Sequence, residues 1–155
     1  ASFHEEYVRH YIEFADAKAG VGFSLISAVL VFLISKDQVR ALILHPALTA
    51  YFGITVFALF FLLASAICTF LVIAPRLGSS PDGGIVFFGA VAKRSSGDEF
   101  IRDIANRSAA ELTAARLRHS FAISRICTRK YGLLKKAIWL ALPGLALALV
   151  VIFFT

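Results

Sequence analysis

The sequence predicts an all-α membrane protein: three transmembrane helices, an N-terminal helix ahead of the first, and a small helical insertion between the second and third. Three observations carry that prediction. The 155 residues are 59% hydrophobic and 17% charged, with a mean hydropathy of +0.79, whereas an ordinary soluble domain is about half apolar and a quarter charged. Ala19–Ser35, Ala41–Pro75 and Ala137–Thr155 hold no Asp, Glu, Lys or Arg. Each can supply the roughly 20 helical residues that cross a ~30 Å hydrocarbon core, and a barrel of at least about eight strands is beyond this chain.

Residues 1–18 read as an amphipathic helix. Phe3, Tyr7, Tyr11, Phe14 and Ala15 recur at helical spacing, with Glu5, Glu6, Arg9 and Glu13 between them. This is not the pattern of a secretory signal, so the helix is expected to run directly into span one, 19–36. Because no Met occurs, further residues are expected upstream of Ala1.

An external loop is expected over 37–45, followed by span two over 46–74. Pro46 suits a first helical turn, where its missing N–H is not needed. The far end is marked by Pro75-Arg76 and by the run Gly78-Ser79-Ser80-Pro81-Asp82-Gly83-Gly84, which cannot continue a helix.

Residues 75–136 form the basic region. They hold twelve Lys and Arg against five Asp and Glu, a net +7, while the rest of the chain, with four basic and five acidic residues, carries −1. The loop on the opposite side offers only Lys36 and Arg40. By the excess of Lys and Arg near span ends, the N-terminus and 75–136 are expected in the cytoplasm and the C-terminus outside. Within the region, Ser96-x-x-Glu99 and Ser108-x-x-Glu111 are capping boxes. They predict a short helix over about 97–106 and a long one from about 109 that runs through Lys135 and Lys136 into span three, 137–155.

Small residues recur at helical spacing inside the spans: Gly20, Ser24 and Ala28 in span one, Ala137, Ala141, Gly144 and Ala148 in span three. They allow helices to approach closely. Packing within one protomer is the plainer expectation, and contacts in a homo-oligomer can coexist with it.

Several function classes are disfavoured. There is no phosphate loop, nucleophile elbow or His-Glu-x-x-His, so no enzyme is expected. Apart from Lys36 at the end of span one, the spans carry no acidic or basic residue of the kind that proton relays and coupled transporters need. Cys68 and Cys127 are expected as free thiols, the four His are too scattered to hold a metal, and no cofactor is expected. The twelve cations invite three readings: topology and contact with anionic headgroups, nucleic-acid binding, or a small anionic ligand. Nucleic acid is disfavoured because no module or interleaved aromatics accompany the charge. For an anionic ligand, Arg76, Lys93 and Arg94 flank the Gly-rich loop and are the candidate contacts. Asp16 and Lys18 lie at the membrane boundary, where Asp16 is placed to pair with Arg129 or Lys130, and such a pair has either a structural or a gating role.

Four elements in order carry a further signal. Phe14-Ala15-Asp16-Ala17-Lys18-Ala19-Gly20, Pro75-Arg76-Leu77-Gly78, Phe87-Phe88-Gly89, and Arg129-Lys130-Tyr131 with Leu134 and Ala137 resemble the Pycsar transmembrane effectors over nearly the whole chain. That resemblance implies a role in bacterial anti-phage defence. A partner cyclase would make cyclic CMP or cyclic UMP on infection, and the effector would answer by impairing the inner membrane and aborting the infection. No separate cyclic-nucleotide-binding domain is visible, so sensing would use 75–136 and the N-terminal helix. The alternative is a constitutive structural or assembly component of the membrane that binds no small molecule.

Overall fold

The computed structural model describes residues 2–44, 49–74, 91 and 95–153. Five helices are present among them: α1 Ser2–Ser35, α2 Asp37–Leu44, α3 Ala50–Ile73, α4 Gly97–Ala105 and α5 Ala109–Phe153. Glu5–Ser35, Ala50–Ile73 and Ala109–Phe153 are long and apolar enough to cross a membrane. The chain divides into two compact units. One comprises Ala1–Ile12 and Pro75–Thr128, the other Glu13–Ala74 and Arg129–Thr155.

The second unit is the bundle of spans. Ile26 and Leu33 of α1, Val39 of α2, Leu62 and Ala66 of α3, and Ala148 and Val151 of α5 form its main buried cluster. Ala19, Val72 and Leu134 form a second one. Helices α3 and α5 approach closely at Gly144, which offers Leu62 no side chain to clear: a Cβ on Gly144 would stand 3.0 Å from Leu62 Cγ. A polar contact adds to this contact, the buried Ser65 hydroxyl donating to the Ala137 carbonyl at 2.7 Å. Thr69, also buried, satisfies itself by donating to the Ala66 carbonyl at 2.9 Å, the usual back-bond of a hydroxyl inside a helix. The small residues expected to mediate packing in span three do so. Pro143 lies within α5, at the cost of the hydrogen bond its N–H would have given the Trp139 carbonyl.

Two boundaries differ from expectation. The 37–45 segment is not an open loop, since Asp37–Leu44 is helical. Its Val39 is fully buried in the main cluster, and Asp37 in the first turn complements the helix dipole. Pro46, expected to open span two, lies outside the described residues, and the described helix starts at Ala50. Thr49 is the cap, with extended backbone, and the Phe52 N–H donates to its hydroxyl at 3.2 Å; a side-chain acceptor supplies what a proline cannot.

In the first unit, Val8 and Ser120 are buried. Both predicted caps form, the second as a full capping box. The Glu99 N–H donates to Ser96 Oγ at 3.2 Å, and the Glu99 carboxylate reaches one residue further back than expected, to the Ser95 N–H at 3.0 Å. At the head of α5 the exchange is reciprocal: the Glu111 N–H donates to Ser108 Oγ at 3.3 Å and the Ser108 N–H to Glu111 Oε2 at 2.8 Å. From that cap α5 runs on without interruption for 45 residues.

Candidate functional site: a buried ion pair at the head of the span bundle

Within the bundle unit, α1 and α5 are tied by one charged contact. The Lys130 ammonium donates to the Asp16 carboxylate. The two side chains are unequally covered, Lys130 being 10% exposed and Asp16 37%. An ammonium so covered loses hydration that only a partner of opposite charge restores. One turn further along the same faces come Ala19 and Leu134, which pack with Val72. Ala15, beside Asp16, is fully buried, which brings the α1 backbone close and sets the carboxylate within reach.

Of the two partners expected for Asp16, Lys130 is therefore the one used, and Arg129 is exposed. Lys18 is exposed too, and its ammonium lies 4.1 Å from the centroid of the Phe14 ring, a cation–π contact one turn back along α1. It takes no part in the pair. Gly20, Ser24 and Ala28 need correcting as packing residues of the protomer. Ser24 and Ala28 are exposed, and a Cβ on Gly20 would meet nothing within 4 Å. Ser24 donates to the Gly20 carbonyl at 3.0 Å, within its own helix. Arg76, Lys93 and Arg94, together with the Gly-rich loop and Phe87-Phe88-Gly89, lie outside the described residues.

The first unit supplies further polar groups. Arg116, Arg118 and Arg125 are exposed along α5. Glu111 has its carboxyl held below the ordinary value, first by the Ser108 backbone N–H, then by the Ser108 hydroxyl, and also by the Arg107 charge. Glu5 was legible only as one of the charges between apolar positions. Its Oε1 is buried without a hydrogen-bond partner among the described residues; no feature of the local sequence separates it from Glu6, which is exposed.

The Pycsar effector protein domain family matches residues 1–155, the whole chain. The chain belongs to this family. Among its relatives is the Pycsar effector protein SaPycTM of Staphylococcus aureus, 27% identical over 142 residues that cover 91% of this chain and 85% of the relative. No solved structure matches it. As a Pycsar effector with three membrane-length helices, the chain is a multi-pass membrane protein of an anti-phage defence family. The four sequence elements that carried the resemblance all fall inside the matched region. In this Pycsar effector, two of them hold the ion pair: Asp16 belongs to the first and Lys130 to the last.

Proposed function

We propose that the chain is an inner-membrane effector that binds cyclic CMP or cyclic UMP and responds by impairing the membrane, so that an infected cell dies before the phage matures. The observation that carries this reading is the family match along the entire chain, joined to three membrane-length helices. The N-terminus and 75–136 face the cytoplasm, where a nucleotide made on infection would be met. Residues 75–136 carry a net +7, and a single phosphodiester needs only one or two cationic or N–H donors. Arg76, Lys93 and Arg94 are the candidate contacts. Several copies act together, because three helices packed on one another around Leu62, Ala66 and Ala148 are too few to enclose an aqueous pore. No catalytic step is invoked.

Titration calorimetry of the purified protein in detergent with cyclic CMP, cyclic UMP, cyclic AMP and cyclic GMP tests the reading. Saturable binding of one or both pyrimidine nucleotides, and none of the purines, is expected. Replacing Arg76, Lys93 or Arg94 by Ala should remove a charge-assisted bond worth roughly 1.5–3 kcal/mol, weakening binding about ten- to a hundredfold. If none of the four nucleotides binds, the chain is a constitutive membrane component instead.

A further inference from the structure

We infer that the Asp16–Lys130 pair is a latch: it holds the spans in their packed, non-conducting arrangement, and activation proceeds by separating these two side chains. The inference rests on the proposed effector function, and it names how that function is held in check.

The position of the pair sets it apart from a generic surface contact. α1 leaves the first unit at Ile12 and α5 leaves it at Thr128, so both helices enter the bundle unbroken. Asp16 and Lys130 stand within the first turn or so of each helix on the bundle side. α3, in contrast, ends at Ile73 with a non-helical cap at Ala74. Among the described residues, α1 and α5 are the helices that run on from the first unit into the spans, and the pair joins these two where they enter. The ion pair of Arg107 with Asp103, in contrast, is local to one short segment and exposed.

Chemistry gives the latch its sign. Unit two, as packed, is closed by apolar side chains immediately beyond the pair, Ala19, Val72 and Leu134. Any opening of α1 from α5 at this end separates Asp16 from Lys130, so the pair stabilises the closed arrangement and contributes nothing once the helices part. A contact present in one arrangement alone shifts the balance between the two by its whole strength. The unequal exposure then predicts an asymmetry. Loss of the Asp16 charge strands an ammonium that is nine-tenths covered, whereas loss of the Lys130 charge leaves a carboxylate that is over a third exposed and better hydrated. Asp16→Asn should therefore unlatch the protein more fully than Lys130→Gln. Lys18 and Arg129, adjacent in sequence but exposed, are not substitutes.

The test is membrane potential in cells that make the protein without a cyclase, followed with a potential-sensitive dye, with membrane content measured by fractionation. Asp16→Asn should depolarise cells with no cyclic nucleotide supplied, and Lys130→Gln should lower the cyclic CMP or cyclic UMP needed by about tenfold or more. The charge-swapped double variant, Asp16→Lys with Lys130→Asp, should be quiet until nucleotide is added. An Asp16→Asn protein that reaches the membrane at the parent level and keeps the parent's quiet baseline and dose response overturns the latch. Should Asp16→Asn fail to accumulate, a cross-link decides. With Cys68→Ser and Cys127→Ser, cysteines placed by Asp16→Cys and Lys130→Cys are joined by a short bismaleimide. The joined form should stay quiet at nucleotide levels that depolarise the unjoined form, and a full response from it overturns the proposal. A parent protein that answers neither nucleotide counts against the proposed function, while baseline leakage of Asp16→Asn still reports on the latch.

Discussion

Replacing Gly144 by alanine would set a methyl carbon 3.0 Å from Leu62 Cγ and 3.1 Å from both Leu62 Cδ2 and the Leu62 backbone nitrogen. Non-bonded carbons settle about 3.5–4.0 Å apart, so the contact has to open by roughly 0.5–1 Å on that scale. Rotation of the Leu62 side chain relieves two of the three contacts. The backbone nitrogen moves only if α3 itself moves away from α5. Overpacking of this kind costs about 1–3 kcal/mol, and alanine recovers up to about 1 kcal/mol as the better helix former. A net loss of roughly 1–2 kcal/mol follows, equivalent to a fall of about 2–8 °C in Tm for a chain of this size. Gly20→Ala is the matched control, since its methyl group would meet nothing within 4 Å; its Tm should equal or exceed that of the parent. Thermal unfolding in detergent, followed by reaction of the half-buried Cys68 with a fluorogenic thiol reagent, measures all of these. Leu62→Ala should be costly by itself yet remove two of the three contacts, so that Gly144→Ala costs less in that background, a coupling on the order of 0.5–3 kcal/mol. A Gly144→Ala protein as stable as Gly20→Ala would refute the close approach of α3 and α5.

Glu111 predicts a pH dependence at the head of α5: its lowered carboxyl value means the cap is complete above the ordinary carboxylate range and lost as pH falls through the lower folded value. Amide exchange in the first turn of α5, corrected for intrinsic rates, should show that loss in the parent and not in Glu111→Gln. Gly20→Leu should leave the Tm of the protomer unchanged, because its position is open; if copies meet along Gly20, Ser24 and Ala28, oligomers on native gels should weaken, and oligomers that persist place the contact elsewhere. For orientation, cysteine at Asp37 should react with an impermeant thiol reagent in spheroplasts and cysteine at Ser95 should not, the reverse pattern inverting the topology.

Capping and periodicity were legible residue by residue. Ser108 and Glu111 announced the start of α5 within one residue, because a cap is made by side chains three positions apart and needs no distant partner. The cap of α3 was less legible: proline suits a first turn but supplies no acceptor, and it is the Thr49 hydroxyl that satisfies the Phe52 N–H. The segment after span one looked like a loop because eight residues with Asp37 and Arg40 carry a weak apolar signal, yet burial of Val39 against the bundle suffices to make it helical.

What the sequence by itself determined is whatever hydrophobic length and local hydrogen bonding decide: three spans, a continuous first helix, two capped helices in the basic region, and the family. Choices among equivalent residues fell to the tertiary structure. Arg129 and Lys130 carry the same charge, but neighbours on a helix point about 100° apart, so only one of them can face α1, and α5 turns Lys130 toward Asp16. Gly20, Ser24 and Ala28 are as small as Ala137, Gly144 and Ala148, yet α1 turns the first set outward while α5 presses the second against α3. A periodic pattern marks a face of a helix, and what that face meets depends on the rotation of the packed helix about its own axis, which is settled by the fit of all three spans together.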